Sequence, residues 1–260
     1  MSLKIKYFLN QIESPLWSFA IHDGHQISAS LEPYMLLSDK ERLREEDPFT
    51  ATIAELPINQ FFVSTSRFQL DINRKIEDSI YLNPKQAWGL NVFKNFPSTI
   101  IEELYSQHQH IYKIIDENIQ KSINEFGYFI ILDFHSYNAK RESPNEIIDY
   151  NSNPQINLGT YYNNEKWNSF ISFFINEVKQ HKLYNNEIDI RENIKFKGGY
   201  LAQHIINKYG EYGCVLSIEF RKDFMDEWTG DADCIKIESC KQLMLKVYQS
   251  ISAYFNDDRR

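Results

Sequence analysis

Apolar positions along this chain fall into two kinds of run. Unbroken blocks stand at residues 17–22 (Trp-Ser-Phe-Ala-Ile-His), 128–133 (Tyr-Phe-Ile-Ile-Leu-Asp) and 214–219 (Cys-Val-Leu-Ser-Ile-Glu). Blocks of this length predict strands buried on both faces of a sheet. Between them, apolar residues recur at steps of three and four. Ile100, Ile101, Leu104, Tyr105, His108, Ile111, Tyr112, Ile115 and Ile119 trace one face of a long helix from Pro97 to Gly127. Trp167, Phe170, Ile171, Phe174 and Val178 do the same over 165–181, and further helices are expected at 199–209 and 235–255. Ser38 or Asp39 caps a short helix that Asp47-Pro48 stops, because the residue before proline disfavours helical geometry. Another short helix is expected at 50–56 and a weak strand at 188–190, while 137–163 reads as polar and irregular. Alternating Phe68, Leu70 and Ile72 predict a strand over 61–73, in one or two pieces, with Arg67, Gln69, Asp71 and Asn73 on its other face. Strands that alternate with long amphipathic helices mean an α/β sheet covered by helices on both faces.

Composition narrows the class. The 260 residues, 42% hydrophobic and 25% charged, are expected to form one globular α/β domain over 1–260 with a substantial core. A net charge of −8 and the lack of a basic stretch argue against a nucleic-acid partner. Cys214, Cys234 and Cys240 form no CxxC pair, which fits a reducing compartment and buried thiols. No segment has the apolar length to span a membrane, and residues 1–7 lack a signal-peptide run. The expectation is a cytoplasmic protein with no membrane partner.

Chemistry in such sheets gathers at the carboxyl ends of the strands. The three blocks end at His22, at Asp133-Phe134-His135 and at Glu219. Two imidazoles and a carboxylate thus converge on one edge. A catalytic zinc takes three protein ligands and keeps a position open for water. His22 and His135 supply two, and Glu45, Glu46 or Asp47 offers a carboxylate, with His25 a further option. Asp133 lies on the same strand face as His135 and can orient its ring. Glu219 is then free to act as general base. Arg67 and Arg74, with Asn73 between them, carry planar donor forks that match a carboxylate. Taken singly, each has a duller reading, as a hydrogen-bonded structural histidine or a solvated surface arginine. Their conjunction at three strand ends favours a site. His108, His110, His181 and His204 read as packing or surface residues.

These motifs, His22-Asp23-Gly24, Glu45-Glu46-Asp47, Ser66-Arg67 with Asp71-Ile72-Asn73-Arg74, and Asp133-Phe134-His135-Ser136, resemble those of the N-formylglutamate amidohydrolase family. They appear in the family's order over roughly residues 17–225. That family is similar in turn to the zinc carboxypeptidases and the aspartoacylase/succinylglutamate desuccinylase group. The resemblance implies a phosphorylase/hydrolase-like, three-layer α/β/α fold with a mostly parallel mixed sheet and one zinc ion. It implies hydrolysis of an amide next to a carboxylate-bearing amino acid. In the implied roles, Asn73 and Arg74 grip the carboxylate, Arg67 stabilises the oxyanion, and Glu219 is the base. The carboxypeptidase-like relatives place a Glu three residues after the first His, where this chain has His25. The carboxylate ligand therefore stays open, with Glu46 and Asp47 ahead of Glu45. Residues 222–230 read as a subgroup feature that lines the substrate pocket. The function expected is a zinc amidohydrolase acting on a small-molecule N-acyl amino acid, N-formylglutamate or a related acidic one. The alternatives are a carboxypeptidase-like metallopeptidase and a non-catalytic binding protein of the same fold.

Overall fold

The computed structural model describes residues 3–257. Its strands are β1 (Tyr7–Asn10), β2 (Leu16–Ala20), β3 (Asn59–Val63), β4 (Phe129–Tyr137), β5 (Ile156–Gly159), β6 (Lys182–Leu183), β7 (Asn186–Glu187), β8 (Ile190–Glu192) and β9 (Gly213–Arg221). The helices are α1 (Asp39–Glu45), α2 (Thr50–Ile53), α3 (Ser98–Phe126), α4 (Asn168–Lys179), α5 (Tyr200–Tyr209) and α6 (Cys234–Asp257). Seven strands form one sheet in the order β1-β3-β2-β4-β9-β5-β8, and β6 and β7 pair separately. The central run β3-β2-β4-β9 is parallel, whereas β1 and β5 join it antiparallel.

Two apolar clusters cover the two faces of the sheet. One packs α2, α4 and α6 through Ile53, Phe170, Phe174, Leu243 and Val247. The other packs α3 and α5 through Leu104, Ile111, Ile115, Leu201 and Ile205. The helices cover both faces, as the alternation of blocks and helices predicts, and the sheet is the mostly parallel, mixed one that the family resemblance implies.

Strand parity then delivers the polar residues. On β4, Ile130, Leu132 and Phe134 face the first cluster, while Phe129 and Ile131 face the second. Continuing that alternation sends Asp133 and His135 to the α3/α5 side. On β9, Leu216, Ile218 and Phe220 share the first face, so Ser217 and Glu219 join Asp133 and His135 on the other. His135 and Glu219 are direct neighbours in the β4/β9 ladder.

Several boundaries differ from expectation. β4 and β9 each run nine residues, so His135 and Glu219 lie inside strands rather than at their tips. β2 stops at Ala20, and His22 sits in the bend after it. β1 and β5 were not expected, β5 lying within the stretch read as irregular, and the weak strand falls at Ile190–Glu192. Ser38 does cap α1, in a capping box with Glu41.

The strand expected over 61–73 is the main correction. β3 ends at Val63, and from Ser66 onward the chain turns on itself. The Ser66 hydroxyl accepts from Phe68 N (3.1 Å), and Asp71 Oδ1 accepts from Asn73 N (2.9 Å). Such short polar side chains offer the backbone a local partner in place of a ladder. Phe68, Leu70 and Ile72 are buried, but so are Gln69 and Asp71, which alternation would have exposed. Among the described residues, no helix is long and apolar enough to cross a membrane.

Candidate active site

A cavity of about 780 Å³ opens where β2, β4 and β9 end, lined by His22, Asp47, Arg67, Arg74, His135 and Glu219 among others. His22, Asp47 and His135 are buried at its floor, and each offers a ligand atom within 4.8 Å of the others. Asp47 Oδ2 lies 3.0 Å from His135 Nδ1 and 3.4 Å from His22 Nδ1. The turn after α1 brings Asp47 there, because its backbone N–H donates to the His22 carbonyl at 3.0 Å. The other nitrogen of each ring faces a carboxylate: His22 Nε2 is 2.8 Å from Asp71 Oδ1, and His135 Nε2 is 3.1 Å from Asp133 Oδ2.

A carboxylate behind each imidazole fixes the ring's orientation and raises the basicity of the nitrogen facing the centre, the usual setting of metal-bound histidine. Asp133 Oδ1 and His135 Nε2 are both buried without a well-aligned hydrogen-bond partner, so Asp133 stands beside the ring as a close charge. Two nitrogens and a carboxylate oxygen suit a divalent transition metal, and these residues fit one. Burial alone would raise the Asp47 carboxyl, yet His135 and His22 hold it well below the carboxylate range. Burial works to lower His135, but Asp133 and Asp47 lift it well above the usual imidazole value. Burial pushes the Glu219 carboxyl up to about 8, with His135 opposing and Asp47 and Asp133 adding to the rise.

Beside this floor stands a cationic wall organised by Asp71. Arg67 Nη2 donates to Asp71 Oδ2 at 2.8 Å and its Nε to the Tyr81 hydroxyl at 3.1 Å. The Tyr81 hydroxyl itself donates to Asp71 Oδ2. Arg67 is also stacked 4.9 Å from the Trp88 ring centroid, and its Nη1 lies 3.9 Å from Asp47 Oδ1. Arg74 is looser, its Nε 3.6 Å from Asp71 Oδ2 and its guanidinium over the Tyr81 ring. α3 sets this loop, since His108 Nε2 is 2.9 Å from the Arg74 carbonyl and the Tyr112 hydroxyl donates to the Ile72 carbonyl at 2.7 Å.

The structure brings His22, Asp47, His135, Glu219, Arg67, Asn73 and Arg74 to one cavity, but not Glu46. The Glu46 carboxylate accepts from Ser66 and pairs with His25, so Glu46 is withdrawn as a metal ligand. Consecutive residues at the end of α1 point different ways, and the bond from Asp47 N to His22 selects Asp47. Glu45 lines the cavity but is held by Arg44 and Arg141, and His25 is turned to Glu46. Asn73 has a double placement: it lines the cavity while its Oδ1 accepts from Leu201 N (3.1 Å) at the start of α5.

Of residues 222–230, Lys222 alone lines the cavity. Phe224 and Met225 pack into the core, while Glu227 and Trp228 hold the chain beside the cavity. Glu227 accepts from the backbone of Ala139 (2.7 Å) and Lys140 (2.9 Å), and Trp228 Nε1 donates to the Lys140 carbonyl. Lys222 Nζ donates to the carbonyls of Arg44 and Glu46, clamping the turn that carries Asp47. Sequence reasoning missed Asp71 and Tyr81 as members of the site. Asp71 had a signal, since it falls four residues after Arg67 and three before Arg74, where a shared counter-ion would stand. Tyr81 had none.

Paired imidazoles and a carboxylate beside a buried glutamate and an arginine wall, at the carboxyl edge of an α/β/α sandwich, make the layout of a hydrolytic enzyme. Residues 14–225 match the model of the family described as FGase: N-formylglutamate amidohydrolase. The fold is similar to that of an N-formylglutamate amidohydrolase from Ralstonia eutropha JMP134, at TM-score 0.72 and 14% identity over 95% of this chain and 98% of that one. It is also similar to that of a gene product from Agrobacterium tumefaciens, at TM-score 0.64 and 13% identity over 96% of both chains. No curated protein matches the chain. The chain belongs to the N-formylglutamate amidohydrolase family and is an amidohydrolase.

Proposed function

We propose that this enzyme hydrolyses the amide of an N-acyl amino acid, N-formylglutamate or a related acidic one, with a single zinc held by His22, Asp47 and His135. A zinc bound there would supply a Lewis acid and lower the pKa of a water. Glu219 neighbours His135 across the ladder and opens on the same cavity. Burial raises its pKa, and a cation held by His22, Asp47 and His135 would favour the ionised form, which takes a proton from the attacking water and returns it to the leaving amine. Arg67 is held by Asp71 and Tyr81, with Nη1 on the Glu45 carbonyl (3.3 Å) and 3.9 Å from Asp47 Oδ1, which sets its guanidinium beside the floor to meet an oxyanion. Arg74, less constrained, grips a substrate carboxylate, with Asn73 beside it. A cavity of about 780 Å³ suits a small molecule.

The observation that carries this reading is the meeting of two Nδ1 atoms at Asp47, each ring backed by its own carboxylate, beside Glu219. Metal analysis of the purified protein should find about one zinc per chain, and N-formylglutamate should release formate. Glu219→Gln should retain the metal and lose about two to four orders of magnitude in turnover. Wild-type turnover in that variant would remove Glu219 from the role of base. Failure to hold zinc after reconstitution would remove the metal.

A further inference from the structure

The cavity holds more positive charge than the chemistry at its floor uses. Lys195 lines it from the loop between β8 and α5. That loop is tightly anchored. Asn157, fully buried on β5, accepts from Lys195 N (2.8 Å) and Phe196 N (3.3 Å) and donates to the Phe196 carbonyl (2.8 Å). Asn157 stands directly opposite Glu219 in the β5/β9 ladder. Lys195 is therefore tied to the strand next to the one that carries the glutamate.

Its ammonium is placed by uncharged partners. It lies 4.8 Å from the Tyr137 ring centroid and donates to the Asn153 amide oxygen, an uncharged acceptor. Among the described residues, no carboxylate forms an ion pair with it. Burial lowers the Lys195 pKa and Arg141, which lines the same cavity, adds to that, while Glu227, Glu219 and Glu146 oppose it from beyond ion-pair distance. A half-buried ammonium near another cation gains from an arriving anion. Its position is also distinct from the first cationic pole. Arg67 and Arg74 gather around Asp71 behind His22, which follows β2, while Lys195 hangs from β5, and β4 and β9 lie between. Lys195 thus enters the cavity from a different part of the sheet than Arg67 and Arg74 do.

Building on the amidohydrolase reading above, we propose that Lys195 receives the second carboxylate of the substrate, the one that Arg74 does not hold, and so selects dicarboxylic N-acyl amino acids. A neutral side chain there would leave the ammonium facing the cavity without an anion. Zinc-reconstituted enzyme, assayed on N-formylglutamate and its near-isostere N-formylglutamine, should prefer the former by roughly 10- to 100-fold in kcat/KM, with most of the difference in KM. Lys195→Met should bring that ratio toward unity, and Lys195→Arg, which keeps the charge, should retain a preference for the glutamate derivative. Equal kcat/KM for both substrates in the wild type, or an undiminished ratio in folded Lys195→Met, would overturn the proposal. No hydrolysis of either substrate by the wild type would instead overturn the amidohydrolase reading, and this proposal with it.

Discussion

Asp71 is the residue at which the two halves of the site meet. One of its oxygens faces His22 Nε2 and the other meets Arg67 and Tyr81, with Arg74 close by. Burial would raise this carboxyl, yet Arg67 and His22 hold it well below the carboxylate range. Asp71→Asn preserves the shape but removes the charge that orients His22 and balances two guanidiniums. Metal affinity, read by chelator competition, should fall about 10- to 100-fold. An unchanged affinity would show that Asp71 does not support the histidine. Its burial was hidden from sequence because Phe68, Leu70 and Ile72 alternate as in a strand, and alternation assigns the residues between them to the other face. Glu46 and Asp47 were indistinguishable for a similar reason: both are acidic, adjacent and placed before Pro48, and only a backbone bond to His22 separates their directions.

At the scale of elements, the loops after β2 and β3 carry most of the site, and their close approach depends on Gly24. A Cβ on Gly24 would lie 2.3 Å from the Ser64 carbonyl carbon and 2.5 Å from its oxygen. Backbone cannot swing aside as a side chain can. Gly24→Ala should therefore cost about 1–3 kcal/mol in denaturant unfolding. Gly199→Ala is the useful contrast, since its Cβ would meet the Asn73 side chain, which can move and give up its bond to Leu201. It should cost about the value of one helix cap, 0.5–2 kcal/mol. A smaller loss at Gly24 than at Gly199 would mean that the two loops relax apart. The helices were legible because their apolar stripes are long. What α3 does with His108 and Tyr112, which hold the backbone of the arginine loop, was not, since a histidine and a tyrosine on an apolar stripe look like packing.

For the whole molecule, the proposed metal site would couple folding to metal binding, because its three candidate ligands lie far apart in sequence and meet only in the native state. A zinc concentration about 100 times its Kd should stabilise the fold by about 2.7 kcal/mol, and a chelator should reverse this. The pH dependence has a definite sign. His135 has its pKa raised in the metal-free fold, so its contribution is complete below the ordinary value of 6.5 and is lost as pH rises through the raised one. A zinc held as proposed would compete with that proton, so the zinc-induced rise in melting temperature should be larger at about pH 8 than at about pH 6. A rise that shrinks with pH would exclude His135 as a ligand.

The alternation of apolar blocks with three- and four-residue periodicities was enough to determine a layered α/β sheet, because burying one face of each helix against such blocks leaves few arrangements. It also placed His22, His135 and Glu219 near strand ends, since parity and block length are local properties. The tertiary structure decided the rest: that Asp47 and not Glu46 turns to the histidines, that Asp71 is shared by His22 and the arginines, and that Lys195 faces the same cavity. Each of those choices depends on contacts between residues distant in the chain, and such contacts leave no periodic trace in it.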